Sequence, residues 1–136
     1  MKLSQMDNKQ KINLAIYLGG ILILLFFYFF LVTTSWIGYG VKNTCNEAQM
    51  QFEGDCVEAL MQTVDADFET NVSKNGAVWA LGQLGDDRAL NLLESKYTGE
   101  ISNEKGPYDV GLSQHELEKA IKLLKGGWNI TSAFWR

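Results

Sequence analysis

Residues 72–97 read VSKNGAVWALGQLGDDRALNLLESKY, and they decide the fold. Val72, Ala77, Val78, Trp79, Ala80, Leu81 and Leu84 recur at helical spacing, an apolar arc too wide for a helix covered on one side only. Asp86 opens a second helix, with Ala89, Leu90, Leu93 and Tyr97 on one face and Gly99 after it. Only Gly85 separates the two, so the spacing predicts an antiparallel hairpin. Its first helix needs cover from neighbours on both flanks.

Those neighbours are legible on either side. Ser113-Gln114-His115-Glu116 is a capping box that opens a helix carrying Leu117, Ala120, Ile121 and Leu124, with Lys122 and Lys125 near its end and Gly126-Gly127 after it. Asp55 to Glu58 is the aspartate version, leading into Val57, Leu60, Met61 and Val64. Thr44 to Glu47 opens a shorter helix ending near Phe52. Between Thr98 and Leu112 lies a polar insert with Gly106-Pro107, where nothing predicts regular structure. The chain has a single proline and no alternating Val/Ile/Thr run, so the fold class is all-α. Gly54-Asp55 with Ala59-Leu60 is echoed by Gly85-Asp86 with Ala89-Leu90 at a spacing of about 30 residues, which suggests a short α-solenoid rather than a bundle.

Upstream, Ile12 to Val32 is a run of 21 residues whose only strongly polar member is Asn13. At ~1.5 Å per residue a helix of that length crosses a bilayer core. The run is longer than a secretory apolar region, continues through Phe26, Phe27, Phe29 and Phe30, and meets no Ala-x-Ala site, so the expectation is an uncleaved anchor. Of the 12 Lys and Arg, Lys2, Lys9 and Lys11 precede the run against Asp7 alone, which places the N-terminus in the cytoplasm and the rest across the membrane, in a periplasm or equivalent lumen. The expected organisation is a cytoplasmic segment 1–11, a transmembrane anchor 12–37, a linker 38–43, a helical domain 44–127 with the insert 98–112, and an aromatic tail 128–136. The chain beyond the anchor suffices for one small domain.

Within the hairpin, Ala77, Ala80-Leu81-Gly82, Leu84-Gly85-Asp86, Ala89-Leu90 and Leu93 resemble the short HEAT repeat of the phycobilisome-lyase type. Ser73, Gly76 and Asn91 stand where that pattern often has arginine, alanine and proline. The resemblance implies a stack of helix pairs used mainly as a binding scaffold, and the whole chain is similar to small membrane-anchored bacterial HEAT proteins. It implies no activity of its own.

The sequence offers few reactive groups. Cys45 and Cys56 are the two cysteines, and an oxidising compartment favours a bridge between them. A bridge needs Cα atoms within ~7 Å, which on this reading requires the chain around Cys45 to fold back rather than continue as regular helix. His115 is the one histidine, and no nucleophile stands beside it. Asp65, Asp67, Glu69 and Asn71 alternate like half a calcium loop, but Thr70 and Gly76 occupy positions that need glycine and glutamate. No catalytic, cofactor or metal site is expected. From Asn43 to Ser73 there are seven carboxylates and no Lys or Arg, a solvated face or else a surface for a basic partner, which would repel anionic lipid and nucleic acid.

The expected function is therefore a non-catalytic interaction module, an accessory or regulatory subunit of a larger membrane complex. The expected partner surface comprises Trp79, Tyr97, Tyr108, Trp128, Phe134, Trp135 and Arg136, since aromatic and arginine side chains anchor interfaces. For the tail, capping of the stack and contact with headgroups are alternatives. Gly19-Gly20 permits close helix approach within the anchor. The rivals are an enzyme or cofactor-handling factor using His115 or a free cysteine, and a self-associating homo-oligomer.

Overall fold

A computed structural model describes residues 7–100 and 111–136, and every regular element among them is helical. Contacts divide the chain into two units, Met1–Ser35 and Trp36–Arg136. Helix α1 (Asn8–Gln49) begins in the first. There it is long and apolar enough to cross a membrane, and none of its apolar window is buried. The hydroxyls of Thr33 and Thr34 donate to the carbonyls of Phe29 and Phe30 at 2.8 and 2.7 Å, so neither is left unpaired.

The second unit contains the last turns of α1, then α2 (Cys56–Asp65), α3 (Asn71–Leu84), a 3-10 turn (Asp87–Ala89) running into α4 (Leu90–Lys96), α5 (Gln114–Leu124) and the short α6 (Ser132–Trp135). Two expectations are corrected at its start. Residues 38–43 are not a linker, and no separate helix opens at Thr44, because α1 runs unbroken through both. Gly38 and Gly40 look like punctuation in the sequence. They serve close packing instead: a Cβ at Gly38 would lie 2.8 Å from Cβ of Trp135, and one at Gly40 would lie 3.1 Å from the Trp79 ring.

Capping residues set the other boundaries. The reciprocal box at Asp55 is formed, with the Glu58 amide donating to Asp55 at 2.9 Å and the Asp55 amide donating to Glu58 at 3.1 Å. Thr70 caps α3, and the left-handed Gly85 ends it. At α5 only half of the expected box is made. The Glu116 amide donates to Ser113 Oγ at 3.3 Å, whereas the Ser113 amide donates to Oδ1 of Asn75 at 2.7 Å. Buried Asn75 also donates to the carbonyl of Gly111 at 3.1 Å, and so fastens the end of the insert to α3. Gln114 closes the other end, accepting from the Thr98 amide at 2.8 Å and donating to the Lys96 carbonyl at 3.3 Å. Residues 101–110 lie outside the described residues, and with them Gly106-Pro107 and Tyr108.

The core forms where these helices meet. Leu60 and Val64 of α2, Ala77, Val78 and Leu81 of α3, Leu93 of α4 and Leu117 of α5 are buried together, with Val41 and Ala48 from α1. Asp55 at the start of α2 pairs with Arg88 beside the start of α4 (2.8 Å), and Asp65 at the end of α2 pairs with Lys96 at the end of α4 (2.7 Å). Those two helices therefore lie side by side and run the same way. So do α3 and α5: Asn75 meets the residues just before α5, and Gly82 meets Ala120. The end of α1 differs. Thr44 lies against Gly76 and Gly40 against Trp79, so its last turns run opposite to α3.

Cys45 and Cys56 form a disulfide across the turn 50–55, with Cα atoms 5.1 Å apart. The expectation that the chain folds back at Cys45 is corrected, since Cys45 lies within regular helix. The bridge is reached because Cys45 sits near the end of α1 and Cys56 begins α2, so the reversal itself brings them together. Gln49 and Gln62 brace that turn by donating to the carbonyls of Gly54 (3.2 Å) and Glu53 (2.9 Å).

Candidate interaction site

The cleft begins with a missing side chain. A Cβ at Gly82 would stand 2.8 Å from the Cα of Ala120, so α3 and α5 touch there through their backbones. Such an approach splays the larger side chains on either side of it. Beside the contact opens a cleft of about 440 Å³, lined by Trp79 and Gln83 of α3, by Lys119 and Leu123 of α5, and by Gly127 and Trp128 after it. The end of α5 builds its rim. The Gly127 amide reaches back to the Lys122 carbonyl at 2.9 Å and Gly126 takes a positive φ of 89°, a reversal that turns Trp128 outward.

The tail then crosses the end of α3. Asn129 donates to Oε1 of Gln83 at 2.9 Å, and Arg136 Nε donates to the Gln83 carbonyl at 3.1 Å. Helical carbonyls in a last turn have no partner of their own, and Arg136 supplies one. Trp135 is half-buried against the core, with its ring seated over Gly38.

The residues expected to bind a partner are thus not one patch. Trp79 and Trp128 meet in the cleft. Trp135 and Arg136 hold the tail down, while Phe134 is exposed. Tyr97 is half-buried at the end of α4, packed on the core. Gly19 and Gly20 have open space where a Cβ would point. His115 is exposed in the first turn of α5, and both cysteines are in the bridge. Among the described residues, no group of three or more His, Cys, Asp or Glu is placed to hold a metal ion.

Three residues that tie the helices together escape a reading of the sequence. Asn75 and Gln83 look like unremarkable members of α3, although a polar residue inside an apolar arc asks for a partner. Arg88 is the third. It joins the two Gly-Asp repeats directly, pairing with Asp55 (2.8 Å), Asp86 (2.9 Å) and Glu58 (3.5 Å). The echo of Gly54-Asp55 in Gly85-Asp86 is the signal that could have found it.

Those pairs carry a pH dependence. The Glu58 amide and then the Arg88 guanidinium hold the Asp55 carboxyl below its ordinary 3.8. Arg88 lowers Asp86, and Lys96 lowers Asp65. A carboxyl with a depressed folded pKa stabilises the fold above its unfolded pKa and loses that contribution as pH falls through the folded value. Melting temperature is therefore expected to drop below about pH 4, and to drop less in Arg88→Gln, which lacks the pairs with Asp55 and Asp86. An unchanged acid slope in that variant would contradict this link. All these groups are exposed enough for salt to weaken the effect.

Residues 74–96 match the family model of the PBS lyase HEAT-like repeat. The match runs from the first turn of α3 through the 3-10 turn to the end of α4, and α3 forms one wall of the cleft. The chain therefore carries a HEAT-like repeat. No curated protein and no solved structure matches it.

Proposed function

We propose that this chain is a single-pass membrane protein, N-terminus in the cytoplasm, whose outer helical unit holds a protein partner as an accessory or regulatory subunit of a membrane complex. The observation that carries it is a HEAT-like repeat whose first helix, α3, forms one wall of an open cleft holding Trp79 and Trp128. HEAT-type helix pairs are binding scaffolds, and the cleft offers both apolar and charged side chains to a partner. The unit reads as a short α-solenoid, since α2 and α4 repeat one layer and α3 and α5 the other. The opposed end of α1 closes the stack on one side. The disulfide favours an oxidising lumen, in agreement with the basic N-terminal flank. On this reading the protein is not an enzyme.

The test is extraction of the tagged full-length protein from its native membrane in mild detergent, followed by mass spectrometry. One stoichiometric companion is expected, and it should be reduced at least several-fold by Lys119→Glu combined with Leu123→Gln, both at the cleft. Recovery of the protein alone, or as a homo-oligomer only, would sink the accessory reading.

A further inference from the structure

Besides Met50, Phe68 and Val72, the second unit leaves two groups of large side chains exposed. Trp36 and Tyr39 on α1 are 78% and 71% exposed, and Trp128, Ile130 and Phe134 of the tail are 90%, 59% and 61% exposed. These two groups are far apart in sequence, yet the fold ties them together. Trp135 sits on Gly38, which lies between Trp36 and Tyr39 in the chain, and so carries the tail to that stretch of α1. Trp36 comes only four positions after Val32, the last residue of the apolar run. Whatever bilayer takes up Ile12–Val32 meets Trp36 and Tyr39 at its interface, where amphipathic rings are favoured.

Charge agrees with this placement. From residue 119 to the end there are Lys119, Lys122, Lys125 and Arg136 and no Asp or Glu. The stretch without any Lys or Arg, from Asn43 to Ser73, holds seven carboxylates and lies at α2 and its flanking turns. Lys119, Lys122 and Lys125 already pair with Glu116, Glu118 and Glu94. Their attraction to anionic headgroups is accordingly modest, and the aromatic side chains supply most of the binding. A protein partner would be expected to cover these rings with a shaped, polar-rimmed surface. Instead they are large and separate, and Lys119 and Lys122 stand beside Trp128 in the cleft wall, an arrangement that suits headgroups.

We infer that the C-terminal segment Trp128–Arg136 is a second membrane contact, inserting Trp128, Ile130 and Phe134 into the headgroup region of the bilayer that α1 crosses. It rests on the reading of α1 as an anchor. The contact would fix how the cleft is turned toward the membrane, since Trp128 also forms the cleft rim.

The test uses the full-length protein in vesicles of phosphatidylcholine and phosphatidylglycerol carrying bromine near the top of the acyl chains. The emission of each tryptophan is obtained by difference from the corresponding Trp→Phe variant. Trp128 is expected to lose roughly half of its emission to the brominated lipid, as Trp36 does, and to be shielded from iodide in the water, while Trp79, half-buried in the cleft wall, does not respond to the lipid. Quenching of Trp36 by lipid with Trp128 open to iodide would overturn the proposal and leave the anchor standing. If neither responds to lipid, the anchor reading itself fails. Shielding of Trp128 from both quenchers would mean a second copy covers it, which also overturns the proposal.

Discussion

Leu81→Ala is expected to cost the second unit about 2–5 kcal/mol, a large share of the roughly 5–15 kcal/mol usual for a domain. Leu81 is fully buried on α3, the helix that touches α2, α5 and the end of α1. It comes directly after Ala80 and precedes Gly82, the residue at which α3 and α5 meet backbone to backbone. Collapse of the surroundings into the hole is blocked by that contact, so the cost should lie toward the upper part of the range. The near-ultraviolet tryptophan signal of the detergent-solubilised chain is the suitable probe, because helix content is dominated by α1. A loss of melting temperature by well over ~10 °C is expected. A shift of only a degree or two would mean that α3 is not the centre of the core.

Removing the disulfide is expected to have the second largest effect. Cys45 and Cys56 are 11 positions apart, a loop whose closure in the unfolded chain is worth about 2–3 kcal/mol. The bridge also ties the end of α1 to α2 across a turn that two glutamine side chains, the Asp55 box and backbone bonds to Ala48 brace as well. The double variant Cys45→Ser, Cys56→Ser should therefore melt lower than the wild type and match the reduced wild type. A thiol count on the unfolded wild-type protein should find none free. Two free thiols in protein taken from its native membrane would contradict the bridge, and with it the proposal of an oxidising compartment.

Much of this architecture is written locally. The hairpin 72–97 is legible because Gly85 terminates one helix and Asp86 caps the turn that starts the next. The Asp55 box is legible because both of its members belong to one turn. The features hidden from the sequence depend on contacts between distant residues. Glycines 38 and 40 mark where indole rings approach α1, and only the folded chain shows that no break is needed there. Ser113 is capped as expected on one side, but Asn75, on another helix, captures its amide. The cleft is out of reach for the same reason. Trp79 and Trp128 stand 49 positions apart, and they meet only because Gly82 lets α5 close on α3 and the chain reverses at Gly126-Gly127. The aromatic tail reads as a single surface in the sequence, yet it divides into Trp135 and Arg136, which hold it down, and Trp128 and Phe134, which face outward.

The most direct test of the central claim is photo-crosslinking in the native membrane, with a benzophenone amino acid placed at Lys119 in the cleft wall or at Glu53 in the turn before α2. Both positions are exposed, and only the first lines the cleft. One protein joined through position 119 and not through position 53 is the expected result, and it would identify the partner at the same time. No adduct at position 119, or the same adducts from both positions, would contradict the proposal that the cleft holds a protein partner.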